Sequence, residues 1–205
     1  RVPDIPGITH ASVVSYPEVF SGRVIPGQRV VVMGAGGIGF DLAEFLCHQP
    51  RDAQTARDPI QQFQNTWGVD VSPDAHGGLK AAALAQPFRQ VTLVQRKPDK
   101  PGRTLGLTTG WALKASLQRY GVQMLAGCHY ERIDDAGLHL TVNGKAQVLA
   151  ADTIVLCTGQ ETERSLFDAL CALGVTPELI GGADEAAELD ALRAIDQGMR
   201  CALQI

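Results

Sequence analysis

The sequence predicts an α/β fold built around a parallel β-sheet, and three observations support this prediction. A β-branched strand passes through a glycine-rich turn into a helix on which Ile38, Leu42 and Leu46 recur every four residues. Further apolar strands alternate with a second helix, which is the order of a β-α-β-α-β unit. Residues 128–149 form short alternating segments around Asn143-Gly144, a strong hairpin signal. We therefore expect three layers, namely helices, a parallel sheet and an antiparallel β-meander. The predicted parallel strands lie at residues 30–32, 90–95, 122–125 and 152–157, and the second helix lies at 111–120.

The glycine-rich turn has the composition of a dinucleotide pyrophosphate site. Gly34 permits a tight turn, Gly36 lets the backbone approach a diphosphate without an intervening Cβ, and Gly39 permits close packing of helix on strand. The amino end of the following helix offers unpaired N–H groups and about half a unit of positive charge to an anion. The alternative is a glycine turn that only joins two packed elements. The candidate residues are Gly34, Ala35, Gly36, Gly37, Ile38 and Gly39.

Two basic residues, Arg96 and Lys97, follow the second strand, where a dinucleotide-binding fold meets the adenine ribose. An NAD-specific site usually has Asp or Glu there to bind the ribose hydroxyls, whereas a 2′-phosphate requires cations. The pair therefore predicts NADPH in preference to NADH, with a solvated basic turn as the alternative. The spacing from the glycines far exceeds the usual value of about twenty residues, so an insertion must be accommodated.

That insertion, residues 49–88, is polar and rich in turn-forming residues, and we expect an irregular excursion without a second domain. Residues 60–67 and 79–85 are candidates for short helices. Trp67 either anchors this segment to the core or covers the nucleotide. The loop at residues 98–110 either wraps the cofactor or only connects two elements.

Composition excludes several other classes of protein. The net charge of −4, without a run of like charges, lacks the basic surface of a nucleic-acid-binding protein. No apolar stretch is long enough to span a bilayer and no signal segment is evident, so we expect a cytoplasmic protein without a membrane partner. The 5 cysteines and 5 histidines show no metal-ligand spacing. We expect buried reduced thiols, no metal site and no catalytic side chain.

The carboxy-terminal segment repeats the α/β pattern on a smaller scale. The strand at residues 152–157 ends in Thr158-Gly159, and a helix at 163–173, a strand at 178–180 and a helix at 181–203 follow. Gly182 and Asp184 suit the approach of a second cofactor, and an amino-terminal helix cap by Asp184 is the alternative. The predicted core face of the last helix consists of Leu189, Leu192, Ile195 and Met199.

The chain begins at Arg1, so we expect a piece of a longer protein. Residues 1–28 then read as a crossover from a missing domain, with a short helix at 16–20.

Several segments together resemble the carboxy-terminal part of bacterial NADPH-dependent 2,4-dienoyl-CoA reductases. They are GAGGIGFD, LVQRKPDKPGRTLG, TTGW, TGQE and LIGGADEAAELDALRAIDQG, and the resemblance covers about residues 3–205. Members of that family have a TIM barrel with FMN and a 4Fe–4S cluster, followed by an FAD domain that is interrupted by an NADPH domain. The resemblance implies that residues 29–158 form the Rossmann-like NADPH domain and that residues 159–205 return to the FAD domain.

By this resemblance the glycine turn would hold the NADPH pyrophosphate, and Arg96 and Lys97 would meet the 2′-phosphate. Gly182 and Asp184 would lie at a partial FAD site, and Thr158 and Gly159 are further cofactor-binding candidates. The family's first FAD glycine motif, cluster cysteines and barrel acid/base residues have no counterpart in this sequence. FMN, the cluster and the remaining FAD site are therefore expected in an absent amino-terminal part of the same polypeptide.

The function implied is electron input, in which hydride passes from NADPH to FAD, within the β-oxidation of unsaturated fatty acyl-CoA. The fragment alone is not expected to reduce a dienoyl-CoA. Two alternatives remain, namely a non-catalytic module for an ADP-type nucleotide, and the same part of an NADH- or NADPH-dependent flavin reductase that acts on another substrate.

Overall fold

A computed structural model describes residues 1–48, 59–83, 86–187 and 189–204 of the chain. Residues 49–58 of the predicted insertion and residues 84–85, at the end of its second predicted helix, lie outside the described residues. The chain forms two compact units, one of residues 2–157 and one of residues 158–205 together with Arg1.

Eight strands, seven α-helices and one short 3-10 helix (His76–Gly78) form the secondary structure of the described residues. The strands are Val13–Ser15 (β1), Arg29–Met33 (β2), Gln90–Val94 (β3), Gln123–Leu125 (β4), Cys128–Asp134 (β5), Gly137–Val142 (β6), Lys145–Leu149 (β7) and Thr153–Leu156 (β8). The helices are Tyr16–Phe20 (α1), Gly37–Cys47 (α2), Pro59–Trp67 (α3), Gly110–Arg119 (α4), Ser165–Ala172 (α5), Gly181–Asp184 (α6) and Ala191–Ala202 (α7).

The larger unit contains a five-stranded parallel sheet in the order β1-β8-β2-β3-β4. Strand β2 lies at its centre, and Val31 is paired with Thr92 on one side and Ile154 on the other. The predicted β-α-β-α-β order is therefore confirmed. Strand β1 was not predicted, because three residues are too few to show a strand period.

Alternate residues of the sheet enter two separate hydrophobic clusters. Val30, Val32 and Leu93 pack on the helical side, against α1, α2 and α4. Val31, Met33 and Val94 pack on the opposite side, against the meander formed by β5, β6 and β7. Since both faces are covered, β2 is apolar and buried on both sides from Val30 to Met33, as is typical of parallel sheets. The predicted α/β, Rossmann-like, three-layer fold is confirmed.

The antiparallel meander has the order β5-β6-β7 and is closed by the predicted turn. Asn143 and Gly144 have φ values of 51° and 74°, the paired left-handed conformations that a two-residue hairpin of type I′ needs. Its inner side chains include Tyr130, Leu138 and Leu140, which are all buried.

In the insertion, the first predicted helix is confirmed as α3, and the second is wrong over residues 79–83. Leu79 instead forms an isolated antiparallel bridge with Val69. At the end of α3, the Trp67 ring lies 4.8 Å from the guanidinium of Arg119 in α4, which also donates a hydrogen bond to the Thr66 carbonyl. Trp67 therefore anchors α3 to α4.

Three predictions for the smaller unit are wrong. Residues 178–180 form no strand, because the described residues of this unit include no second strand with which they could pair. The predicted final helix is divided into α6 and α7, and Asp190 caps α7 by accepting a hydrogen bond from the Arg193 N–H. The predicted core face of the last helix is exposed, because no layer among the described residues of this unit covers it. The residues of this face are Leu189, Leu192, Ile195 and Met199.

Candidate functional site

The glycine turn connects the carboxyl end of β2 to the amino end of α2. Gly34 has a φ of 118°, which a residue with a side chain adopts only under strain. Its N–H donates to the Val94 carbonyl of β3 at 2.8 Å, so the turn is fixed to the neighbouring strand at its first residue. Ala35 is buried at the turn.

Gly39 lies where α2 crosses the turn at close range. A Cβ at this position would stand 1.8 Å from the Gly34 carbonyl oxygen, well inside van der Waals contact. Only glycine lets the helix begin this near to the strand, which is the role predicted for Gly39. The helix is held there by Phe40 and Leu42, both fully buried beneath it.

The amino end of α2 is open towards solvent. Gly36 is the N-cap and carries no capping side chain, so the N–H groups of the first helical turn have no side-chain acceptor there. Gly36 and Gly37 are exposed, and a Cβ on either would meet no atom within 4 Å. The turn therefore presents a bare main-chain surface with positive character, which suits the oxygens of a diphosphate.

The basic turn, residues 96–99, leaves β3 at the same edge of the sheet. Met33 and Val94 are direct partners in the register, so β2 and β3 end at the same level; Gly34 follows Met33 directly, and Arg96 follows Val94 after one residue. Arg96 and Lys97 are both exposed. The structure thus brings together the predicted glycines and the predicted cations on neighbouring strands.

Tyr130 of the meander also belongs to this region, and sequence reasoning missed it. Its phenol donates to the Val94 carbonyl at 3.3 Å, the same oxygen that accepts the Gly34 N–H. Burial raises the pKa of Tyr130, and the nearby positive charge of Arg96 opposes that rise. Tyr130 therefore remains a neutral hydrogen-bond donor. Nothing in the alternating pattern of β5 distinguishes it from an ordinary core aromatic.

The remaining predicted residues lie in the smaller unit. The Thr158 hydroxyl donates to the Arg1 carbonyl at 2.5 Å, and the Gly159 carbonyl accepts a hydrogen bond from the Arg1 nitrogen at 3.0 Å. Arg1 and residues 158–159 therefore run side by side.

Gly182 and Asp184 belong to the short helix α6. Asp184 is its last residue, so the alternative role as an amino-terminal cap is wrong. The Asp184 carboxylate accepts from the Gln197 amide at 2.9 Å, and Arg164 donates to the carbonyls of Ala183 and Asp184. A role for Gly182 and Asp184 at a flavin stays a prediction.

The cysteines do not form a reactive centre. All five are free, and burial, followed by the nearby Glu44, raises the pKa of Cys47 to about 12. Cys128 is buried like Cys47, whereas Cys157 and Cys201 are half-buried and Cys171 is exposed, so the prediction that all five thiols are buried is wrong for three of them. Within the described ranges, no group of His, Cys, Asp or Glu side chains is arranged to hold a metal ion. Across the same ranges, no helix combines the length and apolar character needed to cross a membrane.

The sequence of this chain is similar to one protein family and to several reductases. A family model described as pyridine nucleotide-disulphide oxidoreductase matches residues 1–177. A metal reductase of Desulforamulus reducens is 24% identical over 168 residues, which are 82% of this chain and 24% of that protein. A mercuric reductase of Staphylococcus aureus is 23% identical over 78% of this chain and 23% of its own length. The chain thus spans about a quarter of the length of the curated relatives it matches.

Solved structures show the same fold over almost the whole chain. The structure of a 2-naphthoyl-CoA reductase aligns with 99% of this chain and 25% of its own, with a TM-score of 0.70 and 17% identity. Histamine dehydrogenase from Rhizobium sp. 4-9 aligns with 95% of this chain and 26% of its own, with a TM-score of 0.63 and 17% identity.

Proposed function

Because the chain belongs to the pyridine nucleotide-disulphide oxidoreductase family, whose members bind FAD and NAD(P)H, we propose that it is the NADPH-binding, electron-input part of a flavin-dependent oxidoreductase. The observation that carries the proposal is the position of two turns. The glycine turn and the basic turn leave adjacent parallel strands at one level, β2 and β3. This is the edge where open α/β sheets bind nucleotides.

The glycine turn is suited to the diphosphate. Gly36 and Gly37 leave open space where other residues would have a Cβ. The N–H groups at the start of α2 point their dipoles towards this space, and the 11 residues of the helix are long enough to give it a defined positive end. The backbone therefore supplies affinity for the part that NADH and NADPH share.

The basic turn is suited to the 2′-phosphate that distinguishes NADPH. Arg96 offers a planar pair of donors to phosphate oxygens, and Lys97 offers a mobile cation. An ADP-type ligand has no 2′-phosphate to neutralise, and an NADH-specific site favours a carboxylate at this position. The pair therefore supports NADPH over both alternatives.

Bound NADPH supplies a hydride from its nicotinamide ring. The chain's own contribution is to hold the coenzyme and fix its orientation. Such positioning is a large part of the catalytic effect in reactions between two bound groups. We assign Gly182 and Asp184, with Thr158 and Gly159, to a partial FAD site in the smaller unit.

The wider enzyme that we propose is an NADPH-dependent 2,4-dienoyl-CoA reductase. The five sequence segments from GAGGIGFD to LIGGADEAAELDALRAIDQG support this assignment. FMN, a 4Fe–4S cluster and the acyl-CoA site would then belong to the rest of that polypeptide.

Calorimetric titration of the 205-residue chain with NADPH and NADH tests the proposal. We expect the chain to bind NADPH more tightly than NADH. In the Arg96→Ala/Lys97→Ala double variant, the affinity for NADPH should fall about 100-fold, because two charge-assisted hydrogen bonds are removed. The affinity for NADH should not change. The Arg23→Ala/Lys80→Ala variant, which removes two exposed cations outside both turns, is the matched control. Equal affinity of the unmodified chain for NADPH and NADH would contradict the proposal, and binding of ADP but neither coenzyme would favour the non-catalytic module.

A further inference from the structure

We infer that Gln95 is a positioning residue for coenzyme selection, because its side-chain amide shapes the basic turn that presents Arg96 and Lys97. The inference rests on the proposed function, since it concerns the recognition of the 2′-phosphate. The sequence pattern does not distinguish Gln95 from other polar residues at a strand end. Its contacts in the structure indicate the role.

The main chain of Gln95 is fixed on both sides. Its N–H donates to the Leu125 carbonyl at 2.9 Å, which extends the pairing of β3 with β4 by one residue. Its carbonyl accepts from the Cys128 N–H at 2.9 Å, where the meander begins. The side chain therefore starts from a Cα that the neighbouring strands hold in place.

The side chain of Gln95 then reaches over the basic turn. Its amide nitrogen donates to the Lys97 carbonyl at 3.0 Å and to the Asp99 carbonyl at 2.5 Å. One amide group thus uses both of its N–H donors on two carbonyls of a single turn. The Gly127 N–H donates to the same Lys97 carbonyl at 2.9 Å, so that carbonyl is held from two directions.

These contacts matter because the two cations are exposed. Arginine and lysine side chains lose considerable rotational freedom when they bind a phosphate, so a mobile backbone would add a further entropic cost. A turn that is already closed presents both side chains from fixed Cα positions. Selection of the 2′-phosphate therefore depends on the amide of Gln95 as well as on the charges of Arg96 and Lys97. Binding of the diphosphate, which NADH and NADPH share, does not depend on Gln95.

The Gln95→Met variant tests this inference, because methionine keeps the length of the side chain and removes both donors. We expect the affinity of the 205-residue chain for NADPH to fall about tenfold, with unchanged affinity for NADH, since two neutral hydrogen bonds are lost from the turn alone. Gln95→Asn retains an amide on a shorter stem and should lose most of the same preference. Gln90→Met, the same substitution at the exposed opposite end of β3, is the matched control and should leave both affinities unchanged.

The outcomes separate this inference from the proposed function. An unmodified chain that prefers NADPH, together with a Gln95→Met variant that keeps the full preference, would overturn the inference alone. Equal losses for NADPH and NADH in both Gln95 variants would also overturn it, because they indicate a general structural role. An unmodified chain without any preference would remove the proposed function and the inference with it.

Discussion

The two compact units each contain a glycine segment that precedes a helix, and the two segments have different surroundings. In the larger unit, Gly34 to Gly39 join a buried parallel strand to the 11-residue helix α2. In the smaller unit, Gly181 and Gly182 open the four-residue helix α6, and no strand precedes them. The first segment therefore follows a paired strand and opens a long helix, whereas the second opens a single short helical turn.

The hydrophobic cores of the two units explain this contrast. In the larger unit, the sheet is covered on both faces by buried side chains. Among the described residues from 158 onwards, Ala186 is the one buried apolar residue. The apolar side of α7 is exposed instead, with Leu192 at 77% and Ile195 at 62%. Densely packed layers behind a glycine turn are therefore found in the larger unit.

The first test breaks the packing behind the glycine turn. Gly39→Ala would place a methyl group 1.8 Å from the Gly34 carbonyl oxygen, so α2 must move away from β2. We expect a loss of at least about 3 kcal/mol in the free energy of unfolding, together with loss of NADPH binding. Urea unfolding followed by circular dichroism, combined with calorimetry, measures both effects.

Gly36→Ala is the control for that variant, because a Cβ there meets no atom within 4 Å. Because alanine is a poorer N-cap than glycine, Gly36→Ala should lower the free energy of unfolding by only about 1 kcal/mol. The added methyl group should nevertheless weaken the binding of NADPH and NADH equally, because it fills the space for the diphosphate. If Gly39→Ala were as stable as the unmodified chain, the proposed role of close helix packing would be wrong.

The second test compares one leucine from each unit. Leu42 of α2 is fully buried, and Leu42→Ala should lower the free energy of unfolding by about 3 kcal/mol through lost burial and a residual cavity. Leu192 of α7 is 77% exposed, and Leu192→Ala should change the free energy of unfolding by less than about 0.5 kcal/mol. Urea unfolding under identical conditions measures both. Comparable losses in the two variants would show that α7 is buried in solution and would remove the contrast between the units.

The predictable parts of the fold were those with a strong local pattern. The β2-glycine-α2 segment changes period at Gly34, and the meander carries Asn143-Gly144, so both were correctly predicted. Strand β1 has only three residues and pairs with β8, more than a hundred residues later. The apolar repeat of α7 correctly indicated a helix, but periodicity identifies an apolar face without showing what covers it.

The candidate site divides in the same way. The composition of the glycine turn and the charges of Arg96 and Lys97 were visible in the sequence because glycine and basic residues have distinctive chemistry. The contributions of Gln95 and Tyr130 were not, because each acts through a hydrogen bond to a main-chain carbonyl whose position depends on the register of β3. Side chains that act by hydrogen bonding to the main chain cannot be identified from composition or periodicity.

The position of NADPH in a crystal structure of its complex with the 205-residue chain tests the central claim most directly. We expect the diphosphate over Gly36 and Gly37, within hydrogen-bond distance of the N–H groups at the start of α2, and the 2′-phosphate within reach of Arg96 and Lys97. An adenosine moiety bound elsewhere, or a 2′-phosphate directed away from the basic turn into solvent, would contradict the account.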